Sequence, residues 1–282
     1  MSRRRLLEEL PTRSTGEFRR GGRGRLILDR AADLDELTEA IGEVRDGEGH
    51  VVAIEGVAGI GKSLLLSELR RRSRDAGMRV LAAQGGELEG DYGFGVVRQL
   101  FGPVLLGARD TDRDQVLTGA AQLAAPLFGM GAEPGAAEAD FARLHGLHWL
   151  AANLAEREPV LLAVDDAHWA DEPSLRFLNH LAHRLAGLPV LIAVTTRPAA
   201  EFDRPLLRSL VLAARSPVLR PRPLGEAGVA VLVRSKWDPS ADDELCHACH
   251  DVSRGNPFLL TELLAEAARA CSSDRRADGM SW

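Results

Sequence analysis

Residues Ala53–Leu66 read "AIEGVAGIGKSLLL". The stretch leaves an apolar segment, passes Gly56, Gly59 and Gly61, meets Lys62 and Ser63, and enters leucines at helical spacing. The glycines, the lysine and the serine fall in the order G-x-x-x-x-G-K-S, between a strand and the start of a helix. Each residue type answers a physical need. Glycine lets the backbone curl so that successive N–H groups point at one place, as phosphate oxygens require. The helix start adds unpaired N–H groups and the positive end of its dipole. Lys62 supplies a point charge for β- and γ-phosphates, and the Ser63 hydroxyl supplies a ligand for Mg2+. The segment Gly56, Val57, Ala58, Gly59, Ile60, Gly61, Lys62, Ser63 and Leu64 is therefore the candidate site for ATP or ADP with Mg2+.

Such a loop, a Walker A loop, needs an acid on a neighbouring strand. "VLLAVDD", Val160–Asp166, offers one. Its apolar run ends in Asp165, at the strand end where open α/β sheets bind ligands, so Asp165 is the expected Mg2+ partner. Strand alternation sends Asp166 to the opposite side, and it is the candidate to position or deprotonate the attacking water. A further strand, "LPVLIAVTTRP", ends at Arg197, which is placed to sense a γ-phosphate or to offset charge in the transition state.

Working outward, "AADLDELTEAIGEV" has the spacing of an amphipathic helix, "HVVAIEG" of a strand, "KSLLLSELRRRSRDAG" of a helix, and "MRVLAAQGG" of a second strand. The segment 85–158 contains no strand pattern. "FGVVRQLFGPVLL", "DRDQVLTGAAQLAAPLF" and "AEADFARLHGLHWLAANLAERE" predict a helical insertion over about 94–157. Strands follow at 160–165 and 189–195, helices at about 173–186 and 204–214, and a strand at 217–220. Alternating strands and helices, with strands apolar on both faces, predict a parallel sheet covered on both sides. From about Leu224 the pattern is helical only.

The composition is that of an ordinary globular chain. It has 282 residues and a net charge of −6, which argues against a chain-wide nucleic-acid surface. Residues 1–25 concentrate basic charge and predict a disordered tail, as do residues 271–282. No apolar run is long enough to cross a membrane, and no apolar segment follows the N-terminal charges as in a secretion signal. With three cysteines, this suggests a reducing, cytoplasmic setting.

Taken in order, "GVAGIGKS", "LLAVDDAHWADEPSLRFLNHL", "VLIAVTTRP" and "SRGNPFLLTELL" resemble the ATPase module of the large ATP-binding LuxR-type (LAL) transcriptional regulators. These belong to the STAND class of AAA-like signalling ATPases. The resemblance covers roughly Leu26 to Ala270. It implies an ASCE-type P-loop NTPase with a five-stranded parallel sheet in the order 5-1-4-3-2, here over 26–223. A C-terminal helical subdomain would follow, acting as a lid over 224–270. It implies a regulatory switch that ADP holds closed and ATP opens, with self-association on ATP binding. It gives Lys62 and Ser63 the phosphate and Mg2+ roles, Asp165 and Asp166 the Walker B roles, and Arg197 the sensor position. Pro257 of "GNP" matches a proline that packs on adenine. Arg30 matches the arginine of a Gly-Arg pair near the nucleotide, although Asp29 stands here where the glycine is usual.

Two departures bear on function. Fast ASCE ATPases carry glutamate after the Mg2+ aspartate. Asp166 is one methylene shorter, so slow turnover is expected. Whole family members continue into helical repeats and a helix-turn-helix domain, so DNA binding is not expected of this chain alone. The rival reading is a self-standing AAA-type ATPase that loads or remodels a protein or DNA partner. Other chemistry-bearing residues have plainer readings. "CHACH", 246–250, is read as buried helix cysteines rather than a haem or zinc site. His145 and His148 are read as part of a packed helix face. His168, Trp169 and Asp171 are read as shaping the loop after the acid pair.

Overall fold

A computed structural model describes residues 27–87, 93–107, 110–130, 139–198, 201, 203–214 and 218–278. The predicted basic tail over 1–25 lies outside the described residues. Contacts divide the chain into two units. The larger comprises Ala32–Val57 and Lys62–Arg220. The smaller comprises the described residues up to Ala31, the loop Ala58–Gly61, and the chain from Pro221 onward.

The larger unit opens within helix α1 (Ala31–Arg45), from Ala32 onward, and continues with strand β1 (His50–Glu55), helix α2 (Lys62–Asp75) and strand β2 (Arg79–Gln84). The insertion follows as α3 (Gly95–Gly107), α4 (Asp110–Val116), a 3-10 stretch (Gly119–Phe128) and α5 (Ala139–Ala155). Then come β3 (Val160–Asp165), a short 3-10 turn (Ala167–Trp169), α6 (Glu172–Ala182), β4 (Val190–Thr196) and α7 (Pro205–Leu212).

The described strands form a parallel sheet in the order β1-β4-β3-β2. β1 and β4 are buried along their whole length, which is why their sequences are nearly unbroken apolar runs. Alternate residues feed different cores. Val51, Leu162, Val164, Ile192 and Val194 pack towards α3, α5 and α6. Val52, Ile54, Leu161, Leu191 and Ala193 pack towards α1 and α2, whose Leu37, Ile41, Leu65 and Leu69 complete that layer.

Among the described residues the expected fifth strand is absent, and the sheet has four strands. Over 218–220 only Leu219 bridges β1: its N–H donates to Ala53 O at 2.9 Å, and its carbonyl accepts from Glu55 N–H at 2.8 Å. The sequence accounts for this. Two residues on stands Pro221, which has no N–H to give a ladder, so pairing does not continue past Leu219. At the opposite edge, the side chain of Gln99 on α3 closes part of β2. Its Oε1 accepts from Gln84 N–H at 2.9 Å, and its Nε2 donates to Gln84 O at 3.1 Å.

The described residues of the segment between β2 and β3 are helical, but the helix predicted over 112–128 is broken. Gly119 takes φ +61, and the chain continues as a 3-10 stretch containing Pro126. That stretch lies against α5 at Gly146, where a Cβ would fall 2.5 Å from Ala124 N. Asp171 ties the insertion to the Walker B segment. It caps α6 by accepting from Ser174 N–H at 2.9 Å. It also accepts from Phe94 N–H at 2.7 Å and Val96 N–H at 3.1 Å, where α3 begins.

The smaller unit contains α8 (Glu226–Lys236), α9 (Asp243–Ser253) and α10 (Pro257–Asp278). Leu224, Val229, Val233, Cys249, Leu260 and Leu264 form its own core, with Leu28 packed against it. α10 runs to Asp278, past residue 271 where a tail was expected to begin. No helix among the described residues is long and apolar enough to cross a membrane.

Candidate functional site

In the larger unit the predicted residues meet at the C-terminal end of the sheet. Gly56 follows β1, and its N–H donates to Thr196 O at the end of β4, at 3.1 Å. Lys62 opens α2 and is 6% exposed. Its Nζ donates to Gly56 O at 2.8 Å and to Val57 O at 3.1 Å. Burial lowers its pKa, as does Arg197, while Asp166 and Asp165 pull the other way. Ser63 is exposed on the first turn, with Leu64 half-buried beside it.

The acid pair is built around Thr195. The Thr195 hydroxyl donates to Asp165 Oδ1 at 2.5 Å and accepts from Asp166 N–H at 2.8 Å. Asp166 N–H also reaches Asp165 Oδ1 at 3.1 Å. Asp166 is not a strand residue: its φ is +49, in the left-handed region. Strand alternation therefore stops at Asp165, and the expected opposite placement of Asp166 is corrected. The turn keeps the Asp166 carboxylate within electrostatic reach of Asp165, Lys62 and Arg197. Burial raises its pKa, as does the Asp165 charge, with Lys62 and Arg197 opposing.

Two site residues were missed from sequence. The Gln84 side chain lies near enough to Asp166 to oppose the rise of its pKa, from the strand position in register with Asp165. Only knowledge of which strands pair finds it. Gly85 is the second. Its N–H donates to Asp165 O at 2.9 Å, and a Cβ there would lie 2.4 Å from Asp166 O. Glycine is required because β2 leaves the sheet directly under the turn.

Arg197 follows β4, half-buried, with Nη1 4.0 Å from Glu201 Oε2. His168 is 1% exposed, and its pKa is pushed down to about 4 by burial and by the charges of Arg197, Lys62 and Arg204. It is thus a neutral, packed imidazole in the turn. Its ring centroid lies 5.2 Å from that of Trp169.

The smaller unit holds the middle of the glycine loop. Gly59 and Gly61 take φ +77 and +105. Arg30 is buried; its Nη2 donates to Ile60 O at 3.1 Å and its Nη1 to Asp29 O at 3.0 Å. Asp29 has φ +54, in the conformation that glycine takes most easily, and its Oδ2 accepts from Gly225 N–H at 3.0 Å. Pro257 opens α10. Its neighbour Asn256 caps that helix through Phe258 N–H at 3.1 Å and also donates to Ala58 O at 3.0 Å. A Cβ on Gly59 would lie 2.6 Å from Phe258 Cβ. In α9, Cys246 and Cys249 are buried free thiols of the core, and burial pushes Cys249 up to about 11.

A parallel sheet with a glycine loop and lysine after β1, and an acid pair where β3 ends, one strand removed from β1 across β4, places the fold among P-loop α/β proteins. The chain belongs to the AAA ATPase domain family, whose model matches residues 27–193. Its fold is similar to that of Cdc6p from Pyrobaculum aerophilum, with TM-score 0.57, 16% identity, and coverage of 93% of this chain and 66% of that one. It is also similar to the Walker-type ATPase PABY2304 of Pyrococcus abyssi, with TM-score 0.53, 14% identity, and coverage of 98% and 77%. A curated relative, the uncharacterized protein R02095 of Rhizobium meliloti (strain 1021), is 28% identical over 271 residues. The match covers 86% of this chain and 25% of that relative, so the chain spans about a quarter of its length.

Proposed function

We propose that this chain is an ATP-binding regulatory switch module that hydrolyses ATP slowly with Mg2+, of the kind found in the LuxR-type STAND regulators. One observation carries the reading: Thr195 fixes both acids at the strand end where Lys62 is buried. The residues fit the nucleotide and the metal. Gly56–Gly61 carry the left-handed turns that bring N–H groups together. Asp165 has one carboxylate oxygen engaged by Thr195, which leaves the other for Mg2+ or its water, alongside the Ser63 hydroxyl. Bound Mg2+ would offset phosphate charge during transfer. Lys62 holds the β- and γ-phosphates, Asp166 takes the proton of the attacking water, and Arg197 meets the γ-phosphate. The raised pKa of Asp166 makes it a stronger base than an ordinary aspartate, while its short side chain keeps turnover slow.

In this reading residues 26–223 work as the ATPase core, and the helices of 224–270 act as the lid. Arg30 braces the glycine loop, and Pro257 packs on the adenine. The switch would sit in the cytoplasm and self-associate on binding ATP. The test is calorimetry with ATP and ADP, together with identification of the nucleotide released from freshly purified protein. Retained ADP and loss of binding in Lys62→Ala are expected. Unchanged affinity in that variant would refute the assignment. Brisk turnover stimulated by a protein or DNA partner would favour a self-standing loading ATPase instead.

A further inference from the structure

Asp166 occupies the left-handed backbone region, which a non-glycine residue seldom adopts unaided, so its neighbours must hold it there. Thr195 secures the entrance of the turn through Asp166 N–H. Inside the turn, Trp169 N–H donates to Asp166 O at 2.9 Å and Ala170 N–H to Ala167 O at 3.1 Å. The exit is secured from another element. Arg204, the residue before α7, sends Nη1 to His168 O at 3.0 Å and Nη2 to Ala170 O. His168 and Ala170 are both buried, so these carbonyls need protein donors. One planar guanidinium serves both, a geometry that a lysine ammonium does not reproduce. Arg204 therefore ties the segment after β4 to the turn after β3.

We propose that Arg204 is a positioning residue for the candidate site: by fixing the exit of the turn, it sets the direction of the Asp166 carboxylate without touching the nucleotide. The inference rests on the ATPase reading above, and its test separates the two.

Full-length protein is compared with Arg204→Met, Arg204→Lys and, as a control on the exposed side of α7, Arg208→Met. Amide exchange is followed over 166–171 and over β1 and α2, with ATP affinity by calorimetry and kcat at saturating ATP. In Arg204→Met, exchange over 166–171 should rise about tenfold or more while β1 and α2 stay within about twofold. ATP affinity should hold within about twofold, and kcat should fall about tenfold or more. Arg204→Lys should fall between, because an ammonium reaches one carbonyl. Arg208→Met should match the unmutated protein.

Unchanged exchange over 166–171 overturns the inference. So does faster exchange with unchanged kcat, or a loss of kcat that tracks exchange across the whole chain. If Arg204→Met does not fold, Arg204→Lys decides by the same readouts. A protein that hydrolyses no ATP, and whose nucleotide affinity ignores Lys62→Ala, fails the ATPase reading and removes the positioning role. The exchange measurement then still decides whether Arg204 holds the turn.

Discussion

Thr195 Oγ1 lies 2.5 Å from Asp165 Oδ1, and the same oxygen accepts the N–H of Asp166 at 2.8 Å. One buried hydroxyl thus fixes the direction of the first acid and the backbone of the second. Thr195→Val keeps the shape and removes both bonds. It should cost about 1–3 kcal/mol of stability, because a donor and a carboxylate lose a buried partner. The Mg2+-dependent part of ATP affinity should fall with it, and Thr195→Ser should retain most of both. Thermal melts and calorimetry with and without Mg2+ check this; a valine variant indistinguishable from the parent would refute it.

Asp166→Asn separates chemistry from folding. The folded pKa of Asp166 lies above its ordinary value, so the native state holds this proton to higher pH than the unfolded chain does. Its contribution to stability is full below the ordinary aspartate pKa and is lost as pH rises through the folded value. At pH 7 the charged form is therefore a burden, which asparagine removes while tolerating φ +49. The variant should melt no lower than the parent at pH 7, while ATP hydrolysis falls about 100-fold. A clear drop in melting temperature would contradict the account.

His168 sets an acid limit. Its folded pKa of about 4 lies below the ordinary 6.5, so the unfolded chain takes up the proton first as pH falls. Stability is full above pH 6.5 and erodes down to about pH 4, by up to about 3 kcal/mol. Urea midpoints measured across that window should drop in the parent and drop less in His168→Gln. Parallel curves would rule out this origin.

Gly85→Ala should be costly out of proportion to one methyl group. Its Cβ would meet Asp166 O at 2.4 Å and Ala170 N at 2.9 Å, both backbone atoms with little room to retreat. A loss of about 1–3 kcal/mol is expected, together with lower ATP turnover. Gly42→Ala, where a Cβ meets nothing within 4 Å, is the control, and equal melting temperatures for the two variants would count against the prediction.

The parallel sheet was legible because β1, β3 and β4 are apolar runs ending in chemically distinctive residues. The Gly56–Ser63 loop was legible because its spacing is local. What escaped depends on pairing across the fold. Gln84 acquires meaning only once β2 lies beside β3, and Gly85 only once β2 leaves the sheet beneath Asp166. The turn of Asp166 escaped for a different reason: a left-handed aspartate looks, in sequence, like one more strand residue. The fifth strand was overread because "PVLR" has strand-like residues, while Pro221 after it has no N–H to continue a ladder.

The Gln99 side chain against β2 has a bearing on solubility. An exposed sheet edge invites another chain to add itself as a strand. Gln99 presents one donor and one acceptor to Gln84, imitating a short piece of that intruder and occupying its place. Gln99→Ala would therefore expose an adhesive margin, and the first sign should be concentration-dependent aggregation rather than a lower melting point.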